Sequence, residues 1–106
     1  MPRASKKERS IDLYEHIVAL KTVEECCSFF DDLCAVTELR AIEQRFDVAR
    51  MLHDGKVYTT ILKETGASSA TVSRVNRFLN YGTGMVVEIM DRVAAEKGEP
   101  VAEKEE

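Results

Sequence analysis

Two arginines, Arg74 and Arg77, and three hydroxyl side chains, Ser68, Ser69 and Ser73, fall within one short stretch around Ala70. A guanidinium is a planar fork of donors that suits a guanine edge or a phosphate. A hydroxyl donates and accepts, and a small residue such as Ala70 lets the backbone approach a partner closely. This is the chemistry of recognition rather than of bond making. For catalysis the chain offers little: His16 and His53 lie far apart, no glycine-rich phosphate loop follows a strand, and neither Thr71 nor Ser73 has a base near it in sequence. No catalytic residues, metal or cofactor are therefore expected, and the chain does not read as an enzyme.

The elements that must position these groups lie in residues 58–79, YTTILKETGASSATVSRVNRFL. Gly66 can take a positive φ at no steric cost and so ends a first helix. Ser68 can cap a second by accepting a backbone N–H bond two or three residues on. Val72, Val75 and Leu79 follow at helical spacing and can pack on Ile61 and Leu62. The opposite face then presents Ser69, Ala70, Ser73, Arg74 and Arg77. A helix with small and hydroxyl residues at its N-terminal end and arginines behind them fits a DNA major groove, and its N-terminus attracts phosphate. Ser69, Ala70 and Ser73 are candidates for base edges, with Ser68 at the turn, and Arg77 for phosphate. Lys63 on the preceding helix meets phosphate or a base edge near the turn. Lys56 adds salt-sensitive affinity.

The chain as a whole carries a net charge of −4, which alone argues against nucleic acid. The charge is partitioned, however. Between positions 56 and 77, Lys56, Lys63, Arg74 and Arg77 face only Glu64, and at the N-terminus Arg3, Lys6, Lys7 and Arg9 face only Glu8. The acidity lies elsewhere; from Glu88 to Glu106, for example, seven acids meet three bases. A molecule polarised in this way can bind DNA with one face at modest net charge. No uninterrupted apolar run approaches the roughly 20 residues of a membrane span, and the basic first ten residues lack the apolar core of a signal peptide. No membrane association and a cytoplasmic location are expected. The odd set Cys26, Cys27 and Cys34 is a poor disulfide framework; at helical spacing with Val23, Phe30 and Leu33 these thiols read as small buried hydrophobes.

Along the chain, residues 1–10 read as a flexible basic arm, 11–97 as one helical domain and 98–106 as a disordered acidic tail. A first helix runs from Ile11 to about Lys21, with Ile11, Tyr14, Ile17 and Val18 on one side. Thr22 and Glu25 form a capping box for a second. Thr37 is read as the cap of a long third helix lined by Leu39, Ile42, Phe46, Ala49 and Leu52, ending near His53 before Asp54-Gly55. The helix-turn-helix pair follows. Asn80–Gly84 (NYGTG) reads as a loop, and a last helix spans about Met85 to Lys97 with Val86, Ile89, Met90 and Val93 inward. The class is all-α, six helices, with no strand pattern. Short helices with such broad apolar faces cannot close one deep core alone, and a second copy can cover the remainder. Two-fold DNA recognition by such motifs points the same way, so a homodimer on double-stranded DNA is expected.

The segments LRAIEQRFDVARMLHDG (39–55) and ILKETGASSATVSRVNRFLNYG (61–82) resemble Trp-repressor-like proteins of the YerC/YecD type, over roughly residues 10–95. The resemblance implies a six-helix Trp-repressor-like fold with intertwined subunits, DNA binding by the fifth helix, and transcriptional regulation, with repression as the expected sign. It also implies an effector pocket in which Arg45, Thr71 and Arg74 match family positions, so Arg74 has two candidate tasks, DNA contact and effector or structural pairing. Val75 and Phe78 depart from the family pattern, replacing a glycine and a serine. Both add apolar bulk, and Phe78 removes a hydroxyl that serves an ammonium, whose burial without a partner costs several kcal/mol. The expectation is that Val75 and Phe78 partly fill this pocket and that tryptophan is not the corepressor; no other effector can be read from the residues. The alternative reading is a helical protein–protein interaction module on the same helix-turn-helix surface, flanked by Tyr58 and Tyr81.

Overall fold

The computed structural model describes residues 9–99. The basic arm and acidic tail lie outside that span apart from Arg9, Ser10, Gly98 and Glu99. Six helices occur: α1 (Ile11–Val18), α2 (Val23–Leu33), α3 (Val36–His53), α4 (Tyr58–Thr65), α5 (Ser69–Tyr81) and α6 (Met85–Lys97). No strand is present among the described residues, and no helix among them is long and apolar enough to cross a membrane. The chain divides into two compact units, residues 1–39 and 40–106, with the first turn of α3 in the former and the rest of that helix in the latter.

The first unit is set by its helix caps. Ser10 is not part of an arm: its hydroxyl accepts from the Leu13 N–H at 3.4 Å and starts α1. That helix stops at Val18, earlier than the periodicity suggests, because Ala19 and Leu20 close tighter three-residue turns on His16 and Ile17. The Thr22 hydroxyl accepts from the Glu25 N–H at 3.0 Å, as expected of a capping box. The Glu25 carboxylate, however, accepts from the N–H of Lys21, one residue before the cap, at 2.8 Å. At α3 the sequence reading is corrected. Thr37 lies inside the helix, which begins at Val36, and Glu38 accepts from the Ala35 N–H at 2.7 Å. None of α1 or α2 is buried in the single chain. Cys27 is exposed and Cys26 and Cys34 are half-exposed free thiols, not the buried hydrophobes their spacing suggested.

The second unit holds the core. Val48 and Ala49 of α3, Ile61 of α4, Ala67 of the turn, Val72 and Val75 of α5 and Met90 of α6 are buried together. Met51, Leu52, Leu62, Phe78, Leu79 and Val86 pack against them. Two of the expected inward residues of α3, Ile42 and Phe46, remain about half exposed, as does Ile89 of α6. The apolar stripe of α3 is wider than one neighbour covers, so its other edge faces outward, with the Arg50 guanidinium 5.8 Å from the Phe46 ring centre.

Two polar ties hold α3, one at its middle and one at its C-terminal end. Gln44 donates to the Thr65 carbonyl at 3.2 Å, joining the middle of α3 to the end of α4. His53 Nε2 and Asp91 Oδ1 lie 2.8 Å apart, joining the last residue of α3 to α6. Gly55 (φ 81°) then reverses the chain. Its N–H bonds to the Leu52 carbonyl and that of Lys56 to Met51, the paired bonds of a Schellman turn.

Candidate nucleic-acid interface

The turn between α4 and α5 is built as the sequence requires. Gly66 sits at φ 69° and its N–H bonds to the Leu62 carbonyl. The Thr65 hydroxyl donates to the Ile61 carbonyl at 2.7 Å and accepts from the Ala67 N–H at 3.1 Å, closing the turn from within. Ala67 drops its methyl into the core. Ser68 is the N-cap of α5, accepting from the Thr71 N–H at 3.1 Å, and its hydroxyl also bonds the Thr71 hydroxyl at 3.1 Å. Its side chain is thus committed to the helix end.

From that cap the two sides of α5 separate. Val72 and Val75 are completely buried and Leu79 packs on the core. Ser69, Ala70, Ser73, Arg74 and Arg77 are all exposed. Ser69 and Ser73 make no hydrogen bond through their hydroxyls, and neither arginine is ion-paired with a carboxylate, within the described residues. The exposed side of α5 therefore offers unspent donors, in line, on a helix whose other side is anchored. Lys63 is exposed on the last turn of α4. Lys56 is half-buried just before α4, and its backbone closes the Schellman turn.

Arg45 comes from a different element. It projects from α3 into a cavity of about 240 Å3 shared with α5 and lined by Ala41, Gln44, Arg45, Ala70, Thr71 and Arg74. The structure thus brings Arg45, Thr71 and Arg74 together. It does not bring Val75 or Phe78 to them. Val75 is wholly inside the core. Phe78 packs against that core and lines a separate hollow with Leu79, Gly82 and Val86. The expectation that these two side chains fill the Arg45–Arg74 cavity is corrected: successive helix residues are turned by about 100°, so Val75 points inward when Arg74 points out. Gln44 and Ala41, which sequence reasoning did not single out, line the cavity instead. Ala41 had a signal available, four residues before Arg45 on the same side of α3, whereas Gln44, its immediate neighbour, did not.

Buried hydrophobes behind a helix-turn-helix, with hydroxyl and guanidinium groups in front of it, define an all-α helix-turn-helix protein. Comparison with known proteins narrows that class. The family described as Trp repressor protein matches residues 10–94. The chain is 52% identical over 81 residues to the uncharacterized protein YerC of Bacillus subtilis (strain 168), covering 76% of this chain and 78% of that one. A crystal structure of a candidate Trp repressor from Staphylococcus aureus superposes with a TM-score of 0.80 at 40% identity, covering 94% of this chain and 96% of that one. A TrpR-like protein from Eubacterium eligens ATCC 27750 superposes with a TM-score of 0.77 at 42% identity, covering 79% and 87%. The chain belongs to the Trp repressor protein family. That family is one of DNA-binding transcription regulators, a regulator fold rather than an enzyme fold.

Proposed function

We propose that this protein is a homodimeric, sequence-specific DNA-binding repressor that reads the major groove with α5 and acts without tryptophan. The observation that carries the reading is the exposed row Ser69, Ala70, Ser73, Arg74 and Arg77, opposite a side of the same helix that is fully buried. Small and hydroxyl groups at the first turn let the backbone approach base edges, and Arg77 follows at the level of the phosphates. Lys63 and Lys56 add cations beside the turn.

The dimer is supported by the first unit. Ile11, Tyr14, Val18, Val23, Leu33 and Val36 are large apolar side chains left exposed in one chain, and a second copy is the surface of matching composition. Two copies also place two α5 helices for half-sites about 34 Å apart.

The effector reading follows from the cavity. Two guanidiniums line it and no carboxylate does. An anionic group is welcome there, whereas the ammonium of a free amino acid would be held beside two positive charges with no carboxylate to pair with, only the neutral Thr71 and Gln44 oxygens. Selection of binding sequences from a random duplex pool tests the function. A palindromic site is expected to be enriched, with affinity falling by orders of magnitude between 50 and 200 mM salt. Arg77→Ala is expected to bind the same sequence more weakly, with a salt slope smaller by about 1. Failure to enrich any sequence would remove the proposal.

A further inference from the structure

The exposed row of α5 continues past Arg77. The helix is regular through Tyr81, and positions 70, 74, 77 and 81 follow each other at three- and four-residue spacing, which places Tyr81 in line with Ala70, Arg74 and Arg77. Tyr81 is 87% exposed, the most of any large apolar side chain among the described residues. Its hydroxyl makes no hydrogen bond within those residues. The turn that carries it is fixed: the Gly82 N–H bonds to the Phe78 carbonyl at 2.8 Å. The backbone approaches so closely there that a Cβ at position 82 would lie 2.4 Å from the Phe78 oxygen. The ring is thus presented from an anchored last turn. Within the sequence no carboxylate occurs between Glu64 and Glu88, while Arg74 and Arg77 do.

Helix geometry decides what such a side chain would meet. At about 1.5 Å of rise per residue, Arg77 stands about 12 Å and Tyr81 about 18 Å along the axis from Ser69. The major groove is about 8.5 Å deep. A helix that enters it N-terminus first, with its first turn on the groove floor, has therefore risen to the phosphate rim by Arg77, and at Tyr81 it has passed onto the backbone outside the groove. Building on the DNA-binding reading above, we propose that Tyr81 is a positioning residue of the DNA interface. Its phenol hydroxyl donates a hydrogen bond to a backbone phosphate flanking the groove and sets the angle at which α5 leaves it.

The test compares Tyr81→Phe, Tyr81→Ala and Arg77→Ala with the unaltered protein by fluorescence anisotropy on the selected duplex across a salt series. Light scattering and thermal melts accompany each variant. Tyr81→Phe is expected to weaken binding about three- to tenfold, the loss of one hydrogen bond. Its salt slope should stay unchanged, because a neutral donor releases no counterion, whereas Arg77→Ala should lower the slope by about 1. The mass and melting temperature of both tyrosine variants should match the unaltered protein. Wild-type affinity in Tyr81→Phe would overturn the proposal while leaving the DNA-binding reading intact. A changed oligomeric mass in Tyr81→Ala would also overturn it, by assigning the ring to contact with a second copy. Absence of DNA binding by the unaltered protein would remove both readings together.

Discussion

At the residue scale, Arg45 and Arg74 face one cavity with a threonine, a glutamine and two alanines, and without a carboxylate. That set complements a negative group and offers an ammonium no carboxylate, only the neutral oxygens of Thr71 and Gln44. Isothermal titration with L-tryptophan is accordingly expected to give no heat of binding in the micromolar range, and a micromolar dissociation constant would reverse the effector reading. The outward side of α5 was legible in the sequence. A serine after a glycine turn has few uses other than capping, and the spacing of Val72, Val75 and Leu79 left Ser69, Ser73, Arg74 and Arg77 the outward positions. The cavity was legible only in part. Val75 had been given two incompatible places, in the buried stripe and in the pocket, and side-chain direction on the helix allows one. The buried stripe was the stronger claim because it satisfied three residues at once.

At the element scale, the helix ends marked by glycine were predictable and those marked by polar residues less so. Gly55, Gly66 and Gly98 all adopt positive φ, where the absence of a Cβ is decisive. The segment NYGTG, by contrast, looked like a loop from its first residue, yet Asn80 and Tyr81 are helical. The Asn80 amide donates to the Asn76 carbonyl at 3.0 Å one turn back, so a residue that often breaks a helix extends this one. The start of α3 misled for a related reason: Thr37 is a good cap by type, but Glu38 reaches the Ala35 N–H and moves the start outward. The end of α5 is sensitive to added bulk. Gly82→Ala would drive a methyl against the Phe78 carbonyl. It is expected to destabilise the protein by about 1–3 kcal/mol, in the range of an overpacked site. Gly66→Ala has open space around it and bears only the left-handed backbone cost of about 1–2 kcal/mol. Chemical denaturation of both variants checks the order, and an unperturbed Gly82→Ala would show that the turn yields freely.

At the scale of the whole molecule, the six-helix architecture followed from periodicity and caps, because each helix carries its own start and stop. Which apolar faces are covered did not follow, since a stripe states that it prefers burial and not by whom. Cys26 and Cys27 of α2, Cys34 at its end, and the residues Ile42 and Phe46 were assigned to an interior that one chain does not provide. Val18 measures this directly. It is 83% exposed in the single chain, where Val18→Lys would change stability by no more than about 0.5 kcal/mol. If a second copy covers it, the same substitution is expected to lower the sedimentation mass toward that of one chain and weaken DNA binding with it. Unchanged mass and affinity would place Val18 outside any interface. The lack of a single buried residue in α1 and α2 carries one more consequence. In the proposed dimer such a segment would gain an interior only when chains meet, and its order would become a function of how many copies the cell holds. Such a regulator would take a census of itself: scarce, it would stay partly loose and silent, and above a threshold it would assemble and occupy its sites more steeply than its abundance rises.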